Sequence, residues 1–288
     1  QETGPSAVLA FAFNGLIAVI TVLSFAEMSS AFPENGGAYT FAKRVLSVRS
    51  AFGVGWVIWF AYIVAAVLYA LGFAAYAVEM LRGLLHLFGF AAPAFFGARS
   101  LTILLAVVAT AFYGWSLLRK TTGGGQHASI AKVGIFALLI LVGVGVILFG
   151  GSDAPRATLT PFFSAGGMGL LIAMGYTFIA VQGFDLVAAI AGEVKEPERT
   201  IPKAMLMSLG VAMAVYLPLL MVVAYLGPGA GQSIAQLSAA NPETVMATAV
   251  AQYMGPFGYW LVIVAAILST LTALQANYLA ASRIALAM

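Results

Sequence analysis

The chain of 288 residues is 62% hydrophobic and only 8% charged, with a net charge of +3. Because soluble domains carry about 25% charged residues, this composition excludes an ordinary soluble protein. The basic residues lie between hydrophobic runs rather than on one face, which argues against nucleic-acid binding. The sequence has no cysteine, which excludes disulfides and thiolate metal sites.

Seven long apolar runs are predicted to be transmembrane helices, since about 20 apolar residues cross a bilayer core of about 30 Å. The alternation typical of an outer-membrane barrel strand is absent. We therefore predict an all-α, polytopic helical bundle that forms a single transmembrane domain over residues 1–288. In chain order the runs cover residues 6–31, 51–81, 100–118, 128–149, 168–192, 203–227 and 257–288.

The basic residues predict the orientation of these helices. If the runs alternate in direction, ten Lys and Arg residues fall on one side and three on the other. Cytoplasmic loops are enriched in Lys and Arg, so the side with ten is predicted to be cytoplasmic. The ten are Lys43, Arg44, Arg49, Arg119, Lys120, Lys132, Lys195, Arg199, Lys203 and Arg283, and the three are Arg82, Arg99 and Arg156.

Both ends of the sequence lie close to an apolar run. The first run begins almost at residue 1 on the predicted outer side, and the sequence stops directly after the last run. We expect an internal segment of a longer chain, incomplete at both ends.

The fourth run contains a lysine, Lys132, about one turn from its start. Its ammonium could snorkel to the cytoplasmic headgroups. It could instead occupy a cation site inside the bundle and take part in proton transfer. Position alone leaves both interpretations open.

The fifth run is interrupted by Gln182, Gly183 and Asp185. A glycine inside a helix costs about 1 kcal/mol relative to alanine, and a carboxylate within a span costs about 2.5–3.5 kcal/mol on insertion scales. Irregular backbone at membrane depth is tolerated where it lines a cavity. One interpretation is a discontinuous helix that binds a substrate or ion. The other is close helix packing at Gly183, with Asp185 hydrogen-bonded to a neighbour.

The seventh run places three hydroxyl groups in the membrane, on Ser269, Thr270 and Thr272. Such hydroxyls more often bond their own helix than a ligand. The sequence contains no HExxH motif, no phosphate-binding loop and no nucleotide fingerprint. We therefore predict no metal site, no cofactor and no enzymatic activity.

Three segments resemble amino acid permeases of the amino acid–polyamine–organocation superfamily. The second helix and first inner loop of that family resemble "GPSAVLAFAFNGLIAVITVLSFAEMSSAFPENGGAYTFAKR", and its sixth helix resembles "FIAVQGFDLVAAIAGEVKEPERTIPKAM". The end of its eighth helix is similar to "LQANYLAASRIALAM". The resemblance covers essentially the whole chain, as helices two to eight.

The resemblance implies a LeuT-type inverted-repeat fold in which the substrate binds at broken helices one and six. Helix six would be the discontinuous fifth run of this sequence. The resemblance also implies roles for individual residues. The substrate-binding residues would be Tyr176, Thr177, Phe178, Ile179 and Gly183, and those for proton coupling or gating would be Lys132, Asp185, Ser269, Thr270 and Thr272.

The predicted function is that of a secondary active transporter for amino acids or related organic cations, working by proton symport and alternating access. Its partners would be the small-molecule substrate, protons and the lipid bilayer, and its location the plasma membrane of a bacterium or archaeon. An exchanger for an amino acid or amine is one alternative. A non-transporting sensor or subunit built on the same fold is the other.

Overall fold

The computed structural model describes residues 4–91, 93–97, 99–119, 125–149, 159, 161–229, 232–240 and 244–288. Over these ranges the chain is almost entirely helical and contains no β-strand. Short 3₁₀ turns accompany the α-helices at Gly4–Ser6, Ala94–Gly97, Phe178–Val181 and Ala191–Glu193. The α-helices are α1 (Ala7–Ala31), α2 (Ala38–Val45), α3 (Val48–Leu87), α4 (Arg99–Leu118), α5 (Gly125–Phe149), α6 (Gly166–Thr177), α7 (Asp185–Ala189), α8 (Pro197–Leu226), α9 (Ile234–Ala240) and α10 (Val245–Ala287).

Seven helical segments of the described chain are long and apolar enough to cross a membrane. Each corresponds to one of the seven predicted runs, so the predicted all-α, multi-span architecture is confirmed. Two residues used to predict the orientation, Lys120 and Arg156, lie outside the described residues. The segments are Gly4–Ala31, Val48–Leu87, Arg99–Leu118, His127–Phe149, Gly166–Ala189, Pro197–Leu226 and Val245–Ala287.

Helix α3 is longer than predicted, continuing to Leu87 rather than ending at residue 81. Arg82 ends the apolar run, but arginine is a good helix former and does not end the helix. After the helix ends at Leu87, Gly89 follows the C-cap residue Phe88 with a φ of 78°. There the N–H of Gly89 donates to the carbonyl of His86, and that of Phe90 to Leu85. These two bonds form a Schellman motif, which satisfies the last carbonyls of the helix.

Helix α10 starts earlier than the predicted boundary at residue 257, but its backbone is interrupted there. Gly255 has φ 66° and ψ −160°, and Pro256 follows it. Proline suits the first position of a helix, because it has no N–H to leave unsatisfied. The predicted start therefore marks the long helical segment that follows the interruption. Residues 245–254 form a separate helical segment before it.

The chain forms two compact units. The first comprises Gln1–Thr21, Val133–Gly183 and Leu206–Val262, and the second comprises Val22–Lys132, Phe184–Met205 and Ile263–Met288. The predicted single domain over residues 1–288 stays a prediction.

Within the first unit, small residues allow helices to approach closely. Gly15 of α1 lies against the side chain of Met213 in α8, and Gly143 of α5 lies against Val222. A Cβ at either glycine would collide with these side chains. One turn before Gly15, the ring of Phe11 contacts that of Tyr216 edge-on, with centroids 5.7 Å apart.

Within the second unit, α3 packs against α4 through alanines. They recur every three or four positions, which places them on one helix face. Helices in membranes commonly pack through such small residues, because these let the backbones approach closely. The buried members of this cluster are Ala66, Ala70, Ala74, Ala106, Ala109 and Leu274.

Candidate functional site

The fifth span is interrupted at the predicted place. Helix α6 ends at Thr177 and a single 3₁₀ turn follows it. Gln182 is then extended, with φ −80° and ψ 170°, and Gly183 has φ 114°. Helix α7 begins at Asp185. Only glycine readily adopts a positive φ of this kind. The predicted discontinuous helix is therefore confirmed. Its interruption depends on Gly183, because the backbone at this position has a φ that other residues rarely adopt.

In the first unit, a buried asparagine holds the end of α6. Asn14 of α1 is 1% exposed. Its Nδ2 donates to the carbonyl of Met174 at 2.8 Å and to Oγ1 of Thr177 at 2.9 Å. The Thr177 hydroxyl itself donates to the carbonyl of Ala173 at 2.8 Å. One amide thus fixes the last turn of α6 immediately before the break.

The residues predicted to bind substrate differ in their surroundings. The side chain of Thr177 is held by Asn14, as described above. Tyr176 is 79% exposed, Ile179 65% and Phe178 39%. The carbonyl of Ile179 accepts a hydrogen bond from the N–H of Gln182 at 3.3 Å, which closes the 3₁₀ turn. The Thr177 side chain therefore stabilises the end of α6 through its hydrogen bonds. The three apolar or aromatic side chains next to it are exposed.

The end of α6 also borders a cavity of about 510 Å³ in the first unit. Tyr176 and Thr177 line it together with Ala7 and Val8 of α1 and Ser238 of α9. Its size lies within the range of about 300–1,000 Å³ that is usual for small-molecule sites. Most of the lining is apolar, so this cavity suits a ligand with an apolar portion.

In the second unit, the intramembrane carboxylate of Asp185 has a tyrosine partner. The hydroxyl of Tyr62 in α3 donates to Oδ2 of Asp185 at 2.5 Å. Hydrogen bonds to an ionised oxygen are about twice as strong as those between neutral groups. Next to this carboxylate, Phe184 is 5% exposed and contacts the ring of Phe25 edge-on at 5.9 Å. The first turn of α7 is therefore held by both polar and aromatic contacts.

Lys132 of α5 contacts the seventh span. Its Nζ donates to Oγ1 of Thr272 in α10 at 2.9 Å. The Thr272 hydroxyl in turn donates to a carbonyl of its own helix, that of Leu268 at 2.9 Å or Ser269 at 3.0 Å. The oxygen of Thr272 therefore presents a lone pair to the ammonium. The contact places Lys132 against the seventh span, and its role as a cation site stays a prediction.

The other two predicted hydroxyls are not joined to Lys132 in the same way. Oγ1 of Thr270 donates to the carbonyls of Ala266 and Ile267, one turn back on its own helix. Ser269 contributes its carbonyl as an acceptor for Thr272. The structure thus brings Lys132 to Thr272.

The turn after α7 is tied to neighbouring segments of the second unit. Glu193 forms an ion pair with Arg283 near the end of α10. The N–H of Gly192 donates to Oδ1 of Asn35 at 2.8 Å, and the N–H of Gly36 donates to the carbonyl of Ala189 at 3.1 Å. Helix α7 is therefore anchored at both of its ends.

Two functional candidates, Asn14 and Tyr62, were not predicted from the sequence. Asn14 is the single strongly polar residue in an otherwise apolar stretch of α1, and such residues inside membranes usually have a partner. The sequence therefore indicates that Asn14 has a polar partner, but it does not indicate which residue that partner is. Tyr62 lies among many aromatic residues of α3 and carries no distinguishing pattern. Among the residues that the structure describes, no group of His, Asp and Glu is arranged to hold a metal ion.

Comparison with known proteins identifies the family of this chain. The family model for amino acid permeases matches residues 1–288. The chain belongs to the amino acid permease family.

Individual relatives are transport proteins from bacteria and plants. The chain is 28% identical to the inner membrane transport protein YbaT of Escherichia coli over 94% of its own length and 59% of that protein. It is 26% identical to the methylthioribose transporter of Bacillus subtilis, over 78% of the chain and 48% of that protein. It is 24% identical to the mitochondrial cationic amino acid transporter 3 of Arabidopsis thaliana, over 100% of the chain and 46% of that protein. The chain therefore spans about half of the length of the curated relatives it matches.

Proposed function

We propose that the protein to which this chain contributes is a secondary active transporter of amino acids or related organic cations. It would act in the plasma membrane of a bacterium or archaeon, by proton symport and alternating access. The observation that carries the proposal is the interruption of the fifth span at Gly183. A transmembrane helix with irregular backbone is costly unless that backbone lines a cavity. Discontinuous helices of this kind form the substrate and ion sites of many secondary transporters.

The substrate would bind where α6 ends. Tyr176, Phe178 and Ile179 would contribute an exposed apolar wall, and the carbonyls of Tyr176, Thr177 and Ile179 would accept from a substrate amino group. Gly183 would provide the backbone freedom that lets α6 and α7 change their relative direction. The 2.8 Å hydrogen bond from Asn14 to the carbonyl of Met174 supports this assignment, because it keeps the last turn of α6 in place.

Proton coupling would depend on Lys132 and Asp185. The ammonium of Lys132 would take the place of a bound cation, held by Thr272, with Ser269 and Thr270 on the same helix. When Lys132 loses its proton, Thr272 no longer contacts a charge, and the tie between α5 and α10 weakens. Asp185 would act as a gate, since its hydrogen bond from Tyr62 holds the first turn of α7.

The name of one relative, a transporter for cationic amino acids, supports the substrate class. Another relative is named as a transporter for methylthioribose, which is a small polar molecule but not an amino acid or an amine. The proposal therefore places amino acids first and other small organic solutes second.

The test uses the complete protein that contains this chain, reconstituted into proteoliposomes. Uptake of a labelled amino acid mixture is measured with and without an inward proton gradient. The variant Lys132→Ala is compared with Lys195→Ala, which removes an exposed lysine from the loop after α7. We expect the gradient to drive uptake in the original protein and in Lys195→Ala, but not in Lys132→Ala.

The other outcomes separate the alternatives. Uptake that ignores the gradient and survives Lys132→Ala would replace symport by exchange or uniport. Absence of uptake for every amino acid and for methylthioribose would favour a sensor or subunit instead.

A further inference from the structure

A basic surface surrounds the short helix α2 and the turn that joins it to α3. Tyr39, Thr40 and Phe41 are buried in the first half of α2. The basic residues Lys43 and Arg44 lie exposed in its last turn. We call the surface formed by Lys43, Arg44, Arg49 and the apolar residues between them the α2 patch.

The α2 patch carries an excess of positive charge. Arg44 forms an ion pair with Glu34, at 2.6 Å. Neither Lys43 nor Arg49 forms an ion pair with any residue that the structure describes, although the Lys43 ammonium lies 5.8 Å from the centre of the Tyr39 ring. Two of the three basic side chains are thus available to an anionic partner.

Exposed apolar side chains lie between Arg44 and Arg49 in the sequence. Val45 is 73% exposed, Leu46 48% and Val48 78%. The combination is typical of protein segments that lie in the interface of a membrane, with charges at the headgroups and apolar side chains at the acyl boundary.

The position of the α2 patch agrees with this environment. Val48 is the first residue of the long second span, so the patch lies directly at the end of a membrane-crossing helix. The turn is well formed, because the Ser47 side chain caps α3 by accepting from the N–H of Ser50 at 3.3 Å. The exposed side chains therefore project from a defined backbone.

A polar cavity of about 460 Å³ adjoins the α2 patch. Its lining includes Lys43 and Arg44, together with Glu34 and Asn35 of the preceding loop, and the Glu34 carboxylate is the ion-pair partner of Arg44. The Thr40 hydroxyl in the same lining is already used, since it donates to the carbonyl of Asn35 at 2.7 Å. Lys43 is therefore the cationic donor in this lining that has no ion pair with a described residue.

We propose that the α2 patch binds the headgroup of an anionic phospholipid. Lys43 and Arg49 contact the phosphate, and Val45, Leu46 and Val48 contact the upper acyl chains. Basic pockets beside transmembrane helices recognise anionic headgroups in this way, through charge and not through shape alone. The inference is independent of the transport cycle, because none of these residues belongs to the proposed substrate or coupling site.

The test counts lipids retained by the complete protein. The purified protein is titrated with phosphatidylglycerol or with phosphatidylcholine, and the bound lipid is counted by native mass spectrometry. We expect retention of phosphatidylglycerol over phosphatidylcholine, weakened by added salt because exposed charges are screened. The double variant Lys43→Gln/Arg49→Gln should bind phosphatidylglycerol about 25-fold more weakly, at about fivefold for each basic residue.

The matched control is Arg99→Gln, which removes an exposed basic residue from the start of α4. It should bind phosphatidylglycerol like the original protein. Lys43 and Arg49 are both exposed, so their substitution should leave the far-UV circular dichroism and the elution volume unchanged. Equal retention of both lipids, or an equal loss in Arg99→Gln, would overturn the proposal. Displacement of the lipid by an equal concentration of inorganic phosphate would also overturn it, because the site would then recognise phosphate alone.

Discussion

The hydroxyl of Tyr62 donates a 2.5 Å hydrogen bond to Asp185, and this bond joins the middle of α3 to the first residue of α7. A carboxylate inside a membrane span is costly, and such groups are usually paired. The bond makes the start of α7 dependent on a side chain of another helix. It therefore connects the candidate gate to a helix that contributes no residue to the predicted substrate site.

Removing the hydroxyl of Tyr62 should impair transport as much as removing the charge of Asp185. We expect Tyr62→Phe and Asp185→Asn each to lower the initial uptake rate by about 10- to 100-fold, because a hydrogen bond to a charged group contributes about 1.5–3 kcal/mol. The double variant should be no worse than either single one, since interacting residues are not additive. Tyr69→Phe, seven residues further along α3 and 37% exposed, is the matched control. Additive losses in the double variant would show that the two groups act separately.

The oxygen of Thr272 should determine how strongly transport depends on the proton gradient. Thr272→Val removes the acceptor of Lys132 while preserving the branched shape of the side chain. We expect a reduced ratio of uptake with and without the gradient, and a smaller change in Thr270→Val, whose hydroxyl bonds its own helix. Thr21→Val is the control, because the Thr21 hydroxyl donates to Ile17 within α1. An equal effect of all three substitutions would remove Thr272 from the coupling site.

Asn14 should contribute to stability as well as to function. In Asn14→Ala, the Thr177 oxygen and the Met174 carbonyl lose a buried donor. We expect the free energy of unfolding to fall by about 1–3 kcal/mol, the usual cost of leaving a buried polar group without its partner. Denaturant titration in detergent measures this quantity. Asn277→Ala should cost less, because that amide donates to Ala273 of its own helix. A larger loss of unfolding free energy in Asn277→Ala than in Asn14→Ala would contradict the stabilising role of Asn14.

Gly183 should be irreplaceable for backbone reasons alone. An alanine at φ 114° is strained, by about 1–3 kcal/mol, so Gly183→Ala should reshape the break and abolish uptake. Gly175→Ala is the comparison, since a Cβ at Gly175 of α6 would meet nothing within 4 Å. Its helical backbone accepts alanine, which favours the helix by about 1 kcal/mol. Uptake assays on equal amounts of folded protein distinguish the two. Normal uptake by Gly183→Ala would show that the break tolerates a side chain.

The features predicted correctly from the sequence are those that depend on local patterns. The number of spans follows from the length of apolar runs. The break in the fifth span follows from a glycine and a carboxylate in an apolar segment. The predicted start of the seventh span at residue 257 was too late, because the span begins at Val245, but it falls beside the backbone interruption at Gly255 and Pro256.

The pairings within the candidate site depend on tertiary packing and could not be predicted in the same way. Asn14 is 163 positions away from Thr177, and Tyr62 is 123 positions away from Asp185. Nothing in the intervening sequence records which helix faces meet. The pairing of Lys132 with Thr272 was anticipated from family resemblance, which named three neighbouring hydroxyls. Which of the three hydroxyls meets Lys132 depends on the direction in which each side chain leaves the helix, and this direction changes by about 100° per residue. The direction of Thr272 brings its hydroxyl to Lys132.

The length of α3 has a mechanical consequence. At 1.5 Å per residue, its 40 residues extend over about 60 Å. Even when tilted by about 40°, the upper end of the usual range, such a helix covers about 46 Å along the bilayer normal, as much as the bilayer with its headgroups. By this length, the segment from Arg82 to Leu87 reaches the boundary between the headgroups and water. It is also braced, because Arg82 donates to the carbonyl of Phe96 at 2.6 Å. A small rotation of α3 within the membrane becomes a displacement of several ångströms at Leu87, which makes this exposed tip a natural position for a spin label or an antibody fragment.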